Sequence, residues 1–234
     1  MDQLVSLPLI VFFGLTTLVT LIVFGKATRS TAVWIGSIGW LVLQSAVSLS
    51  GFYTTTSTLP PRFVLAVGPP LILVLALLFV PAGKRLVDTM DLKWTVLLHS
   101  VRILVEISLY WLFLFKQVPA LMTFEGGNLD MLAGLTAPIV WWAYSKQIVG
   151  KKVLLGWNVI CLVSLLNALI RAMLSAPFRF QLIAFTQPTV AILHFPFVLL
   201  PSFIVPVVLF CHLAIFKKLV VDRTQSRHAN TRDR

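Results

Sequence analysis

Seven stretches of the chain run for about 20 residues each with scarcely a charge among them, a length that matches the roughly 30 Å hydrocarbon core of a bilayer crossed by a helix. They lie near 4–25, 32–53, 63–81, 94–115, 130–149, 153–175 and 190–216. Inside hydrocarbon every backbone N–H and C=O must find a partner within the protein, and a helix provides those partners within one segment. The sequence therefore predicts an all-α integral membrane protein, a bundle of seven transmembrane helices over 1–218 with a basic tail over 219–234. Composition agrees: 58% of the 234 residues are hydrophobic and 12% charged, against about 45–50% and about 25% in soluble domains. A mean hydropathy of +0.94 leaves too little polar surface to coat a soluble globule of this size. A soluble enzyme, a secreted disulfide scaffold and a disordered chain are excluded.

Charge then predicts orientation. Lys26 and Arg29 follow the first stretch, Lys84, Arg85 and Lys93 the third, and Lys146, Lys151 and Lys152 the fifth. Lys217, Lys218, Arg223, Arg227, Arg232 and Arg234 follow the seventh, which puts 14 of the 19 Lys and Arg on one side. The opposite connections hold only Arg62, Lys116 and Arg179. Because cationic loops stay in the cytoplasm, the amino terminus is expected outside and the carboxy terminus inside. The protein is then multi-pass in the cell (cytoplasmic, inner) membrane. The first stretch has Asp2 as its only early charge and no small-residue cleavage site before Lys26, so it reads as a retained span rather than a signal peptide. The tail lacks interleaved aromatics and is expected to meet anionic lipid rather than nucleic acid. Cys161 and Cys211 fall in apolar stretches and read as buried free thiols.

Ionisable groups within hydrocarbon usually face a bundle interior and mark function. On a helix at 100° per residue, His99, Arg102, Glu106 and Tyr110 share an arc of about 80°. Arg102 and Glu106 are also spaced to neutralise each other one turn apart. Ser164, Asn167, Arg171 and Ser175 line one face of the sixth stretch, with Arg171 expected to snorkel outward and Asn167 to hydrogen-bond another helix. The seventh stretch carries His194, Pro196, Pro201, Pro206 and His212, and its internal prolines predict a kinked helix. In the longest outer connection the Gly126-Gly127 pair permits a turn, and Asn128 or Asp130 is expected to cap the fifth helix. Glu125, Asn128 and Asp130 are alternatively an outward-facing ligand loop.

The polar faces suggest a protein that binds, and moves, a small polar or anionic solute, with proton coupling. Arg102 and Arg171 would supply positive charge, and Glu106 and His194 would exchange protons. In this reading no cofactor or metal is required. An alternative is a b-type haem held by His99 and His212, which come from two helices at similar depth. A third reading is a non-catalytic accessory or assembly subunit with a membrane-protein partner. Catalysis is not expected. HExxH, CxxC and HxxxH motifs and phosphate loops are missing, the seventh stretch has no lysine before Lys217 for a Schiff base, and no aspartate falls within a span.

Overall fold

The computed structural model describes the backbone of residues 5–232 and the side chains of residues 5–220. The cations Arg223, Arg227, Arg232 and Arg234, and with them the expected contact with anionic lipid, lie outside the described side chains. Among the described residues the regular structure is entirely helical. In chain order the α-helices are α1 (Leu7–Thr28), α2 (Thr31–Leu49), α3 (Val64–Phe79), α4 (Pro81–Thr89) and α5 (Leu92–Leu97). They continue as α6 (Val101–Leu114), α7 (Asp130–Ser145), α8 (Lys151–Ser175) and α9 (Val205–Arg232). Among the described residues five helical segments are long and apolar enough to cross a membrane: α1, α2, α5 with α6, α8, and Leu200–Val220. The α3–α4 pair makes a sixth if its 87° bend counts as one broken span.

The first, second and sixth predicted stretches correspond to α1, α2 and α8. The third is shortened at an elbow where Pro81, at the first position of α4, turns the chain. Gly83 is required there, because a Cβ on it would lie 1.8 Å from the Leu77 carbonyl oxygen. Lys217 donates to the carbonyl of Leu78 at 3.1 Å, so the elbow is also tied to α9. The fifth stretch becomes α7, 16 residues long, about 24 Å at 1.5 Å rise. The chain before it does not stay outside the bundle. Residues 119–129 fold inward as two short 3-10 turns and bury Met122, Thr123 and Asn128.

Across the seventh stretch the chain makes a 3-10 turn (Ala191–Leu193), leaves helical geometry at His194, and forms a π-helical turn (Leu200–Ile204) that leads into α9. The apolar part of Leu200–Val220 is 61% buried, against 11% for α2. Thus the α9 region forms the centre of the molecule, with α1, α3, α4, α5 and α8 packed around it, and α2 stands at the edge. At one end of the bundle Arg29 pairs with Asp91, which also caps α5 through the amides of Lys93 and Trp94. Lys26 lies over the Trp94 ring at 4.6 Å. Lys218 donates to the carbonyls of Asp88 and Met90 at that same end. Cys161 and Cys211 are free and buried.

Candidate functional site

Arg102 sits in the first turn of α6 and is 3% exposed. A guanidinium in such a place needs a counter-charge and acceptors for its fork of donors. Its Nη2 pairs with the carboxylate of Asp130, at the start of α7. Nη1 donates to the carbonyl of Cys161 at 3.1 Å and faces His212 Nε2 at 3.4 Å. Asp130 also accepts from the Ser164 hydroxyl at 2.6 Å. One ion pair thus joins α6 and α7, while its remaining bonds reach α8 and α9.

This corrects two expectations. Arg102 pairs with Asp130 and not with Glu106, its neighbour one turn along. And an aspartate does reach the interior: the inward fold of 119–129 delivers Asp130 beside the middle of α8. Gly134, one turn after Asp130, allows the approach, since a Cβ there would meet Ile103 Cγ1 at 2.7 Å and the Ile103 amide nitrogen at 3.0 Å.

Glu106 is 1% exposed and takes its partner from the same inward segment. The side-chain amide of Asn128 donates to Glu106 Oε1 and to the carbonyl of Met122. Asn128 Oδ1 accepts from the backbone N–H of Asp130 at 3.3 Å. Asn128 therefore satisfies one amide at the start of α7, but the N-cap position is Leu129 and no side chain caps it, and Asp130 is taken up by Arg102 instead of capping. Glu125 is exposed, so the three polar residues of this connection part company: two enter the bundle and one stays on its surface.

Arg171, expected to reach outward to solvent, is half-buried and turns onto the inward segment. Its Nη1 donates to the carbonyls of Leu121 and Gly126 at 3.3 and 3.2 Å. Tyr110 extends the α6 stripe and stacks near Phe124, ring centroids 4.9 Å apart. Asn167 is exposed on α8 rather than turned toward another helix, and His194 is half-buried at the end of the Ala191–Leu193 turn, ahead of the π turn. Neither joins the cluster.

His99 and His212 do meet. Both are 0% exposed, and their rings stack with centroids 3.9 Å apart and planes at 31°. The Trp157 ring lies nearly perpendicular to that of His99, with centroids 5.6 Å apart. His212 Nδ1 lies 2.8 Å from Asn158 Oδ1, while Asn158 Nδ2 donates to the His212 carbonyl at 3.0 Å. Those bonds assign the ring proton to Nδ1 and leave Nε2 as the acceptor facing Arg102. A bis-histidine haem places the iron between two imidazole nitrogens at about 2 Å each, which separates the ring centroids by about 6 Å. Rings stacked at 3.9 Å, with one Nε2 turned to a guanidinium, do not fit a macrocycle between them. Among the described residues no three His, Cys, Asp or Glu side chains converge as a metal site.

Sequence reading found His99, Arg102 and Glu106 from their shared face. It placed Ser164 on the polar face of the sixth stretch without linking it to this cluster, and it missed Asn158, although a polar residue within an apolar helix was a signal already present.

The fold thus defines a helical membrane protein with an ionisable cluster in its core. Residues 60–220 match the family described as Domain of unknown function (DUF8737), and the chain belongs to that family. Every member of the cluster, from His99 to His212, falls within the matched region. No curated protein and no solved structure matches the chain.

Proposed function

We propose that the chain crosses the cell membrane seven times, amino terminus outside and carboxy terminus in the cytoplasm, and binds a small polar solute at the Arg102 cluster, with Glu106 as its proton-exchanging group. The observation that carries this reading is a set of buried polar atoms without partners. Both ring nitrogens of His99, Nε of Arg102 and Oε2 of Glu106 have no hydrogen-bond partner. Buried polar atoms are nearly always satisfied, so orphans concentrated on one face mark where a ligand or water belongs. They include a donor at Arg102, an acceptor at Glu106, and a group at His99 able to serve as either.

The same geometry favours a neutral or zwitterionic solute over a free anion. Asp130 already neutralises Arg102, so an anion would have to displace a carboxylate or enter beside it. The inward segment 119–129 is the natural barrier on one side, fastened to Glu106 through Asn128 and to α8 through Arg171. Orientation is supported by the gathering of Lys26, Arg29 and Lys218 around Asp91, Trp94 and Met90 at one end of the bundle.

The test is proton movement in vesicles containing the purified protein and a pH-sensitive dye, challenged with a panel of neutral and zwitterionic polar solutes. At least one solute is expected to drive a pH change, and Glu106→Gln is expected to abolish it. If no solute moves protons and none raises the thermal stability of the purified protein, the reading fails.

A further inference from the structure

A second site lies away from the ionisable cluster, on the side of the bundle where α2 stands off from α9. There α2, α3, the π turn and α9 enclose a cleft of about 450 Å³, within the range of about 300–1,000 Å³ typical of small-molecule sites. Its walls include Gly36, Ser37 and Trp40 of α2, Leu73 of α3, Ser202 of the π turn and Phe210 of α9. The cleft exists for local reasons. Gly36 contributes no side chain, and a Cβ built on it meets nothing within 4 Å. Pro206 has no N–H to give the carbonyl of Ser202, its helical acceptor four residues back. The indole N–H of Trp40 donates to that carbonyl instead, at 2.8 Å. This bond fastens α2 to the π turn at one point and leaves the space beside it open.

The chemistry of the walls selects the occupant. Among the described residues no charged side chain lines the cleft, so a charged group would be buried there without a partner, at high cost. Yet Ser202 is 0% exposed and its hydroxyl has no partner, and Ser37 brings a second hydroxyl to the same space. We infer that the cleft binds an uncharged amphiphile from the membrane, a hydrocarbon chain bearing one hydroxyl or carbonyl oxygen that bonds to Ser202. The chain lies against Leu73, Phe210 and the other apolar walls, and the oxygen satisfies the orphaned hydroxyl.

The experiment is photolabelling of the full-length protein in mild detergent with a diazirine-bearing long-chain alcohol, located by peptide mass spectrometry. Label is expected within 32–40, 69–77 or 202–210. Hexadecanol should compete about tenfold better than hexadecane, the discrimination that one net hydrogen bond supplies. Ser202→Ala should erase that preference. Gly36→Leu fills the cleft and should cut labelling at least about fivefold, whereas Gly39→Leu, also with free space around its Cβ but outside the lining, should not. Equal competition by hexadecane and hexadecanol in the unaltered protein would overturn the inference without any variant needing to fold. So would labelling that survives Gly36→Leu in folded protein. Displacement by phosphatidylglycerol, lost on replacing Lys84 and Arg85 of α4 with Gln, would assign the cleft to the chain of an anionic lipid and overturn it too.

Discussion

Arg102 carries a permanent charge where water is nearly absent, and Asp130 makes that placement tolerable. Removing one member of such a pair leaves an uncompensated buried charge, typically at about 3–5 kcal/mol, whereas replacing both with apolar groups is often neutral. Asp130→Asn is therefore expected to lower the thermal midpoint in detergent sharply, and Arg102→Met with Asp130→Leu to recover most of it. Glu106 differs. Glu106→Gln keeps an oxygen for the Asn128 amide and removes a charge, so the fold should survive with a small change in midpoint. Asn128→Leu should do more damage than Glu106→Gln, because it severs bonds to Glu106, to Met122 and to the Asp130 amide together. The stripe on α6 was legible in the sequence because a helix repeats its face with a fixed period. Its partner was not: periodicity reports neighbours on one helix, and Asp130 arrives from another segment. Asn167 shows the same limit in reverse. It shares an 80° arc with Ser164 and Arg171, but the contact between packed helices is narrower than that arc, and Asn167 falls outside it.

At the level of helices, two glycines hold close approaches: a Cβ on Gly83 would strike backbone, and one on Gly134 would press on the Ile103 side chain and amide. Gly134 lets α7 approach α6 closely enough for Asp130 to reach Arg102, and Gly83 lets α4 fold against the end of α3. Gly134→Val should separate α7 from α6 and so lose the ion pair as well as packing; its loss of thermal stability is expected to approach that of Asp130→Asn, and adding Asp130→Asn to it should cost little more. Such non-additivity is the mark of coupled sites. A purely local clash would instead make the two losses sum. Helix positions were legible because bilayer thickness sets a length that hydropathy displays. The elbow at Pro81 and the inward turn of 119–129 were not, since both depend on which backbone surfaces come within 2–3 Å, and a single glycine looks alike in a loop, a helix or a contact. The sequence placed 190–204 in one helix bent or broken by its prolines, and there the chain passes through 3-10, non-helical and π geometry before α9 begins.

For the molecule as a whole, the grouping of cations is the feature to test. A reporter active only in the cytoplasm, fused after Arg234, is expected to be active, and the same reporter at the amino terminus silent; the reverse pattern, or activity at both ends, would break the seven-crossing arrangement. The inward fold of 119–129 bears on how such mapping is done. By hydropathy this connection is the longest outer loop and the obvious place for an epitope, a protease site or a reactive cysteine. Thr123 is 0% exposed and Asn128 nearly so, while Glu125 between them stays on the surface. Cysteines substituted at 123 and 125, only two residues apart, should then differ in their reaction with a membrane-impermeant maleimide: protected at 123, labelled at 125. A tag inserted beside residue 123 would displace Asn128 from Glu106 and unseat Asp130, so a silent tag there would report a broken protein, not a cytoplasmic loop.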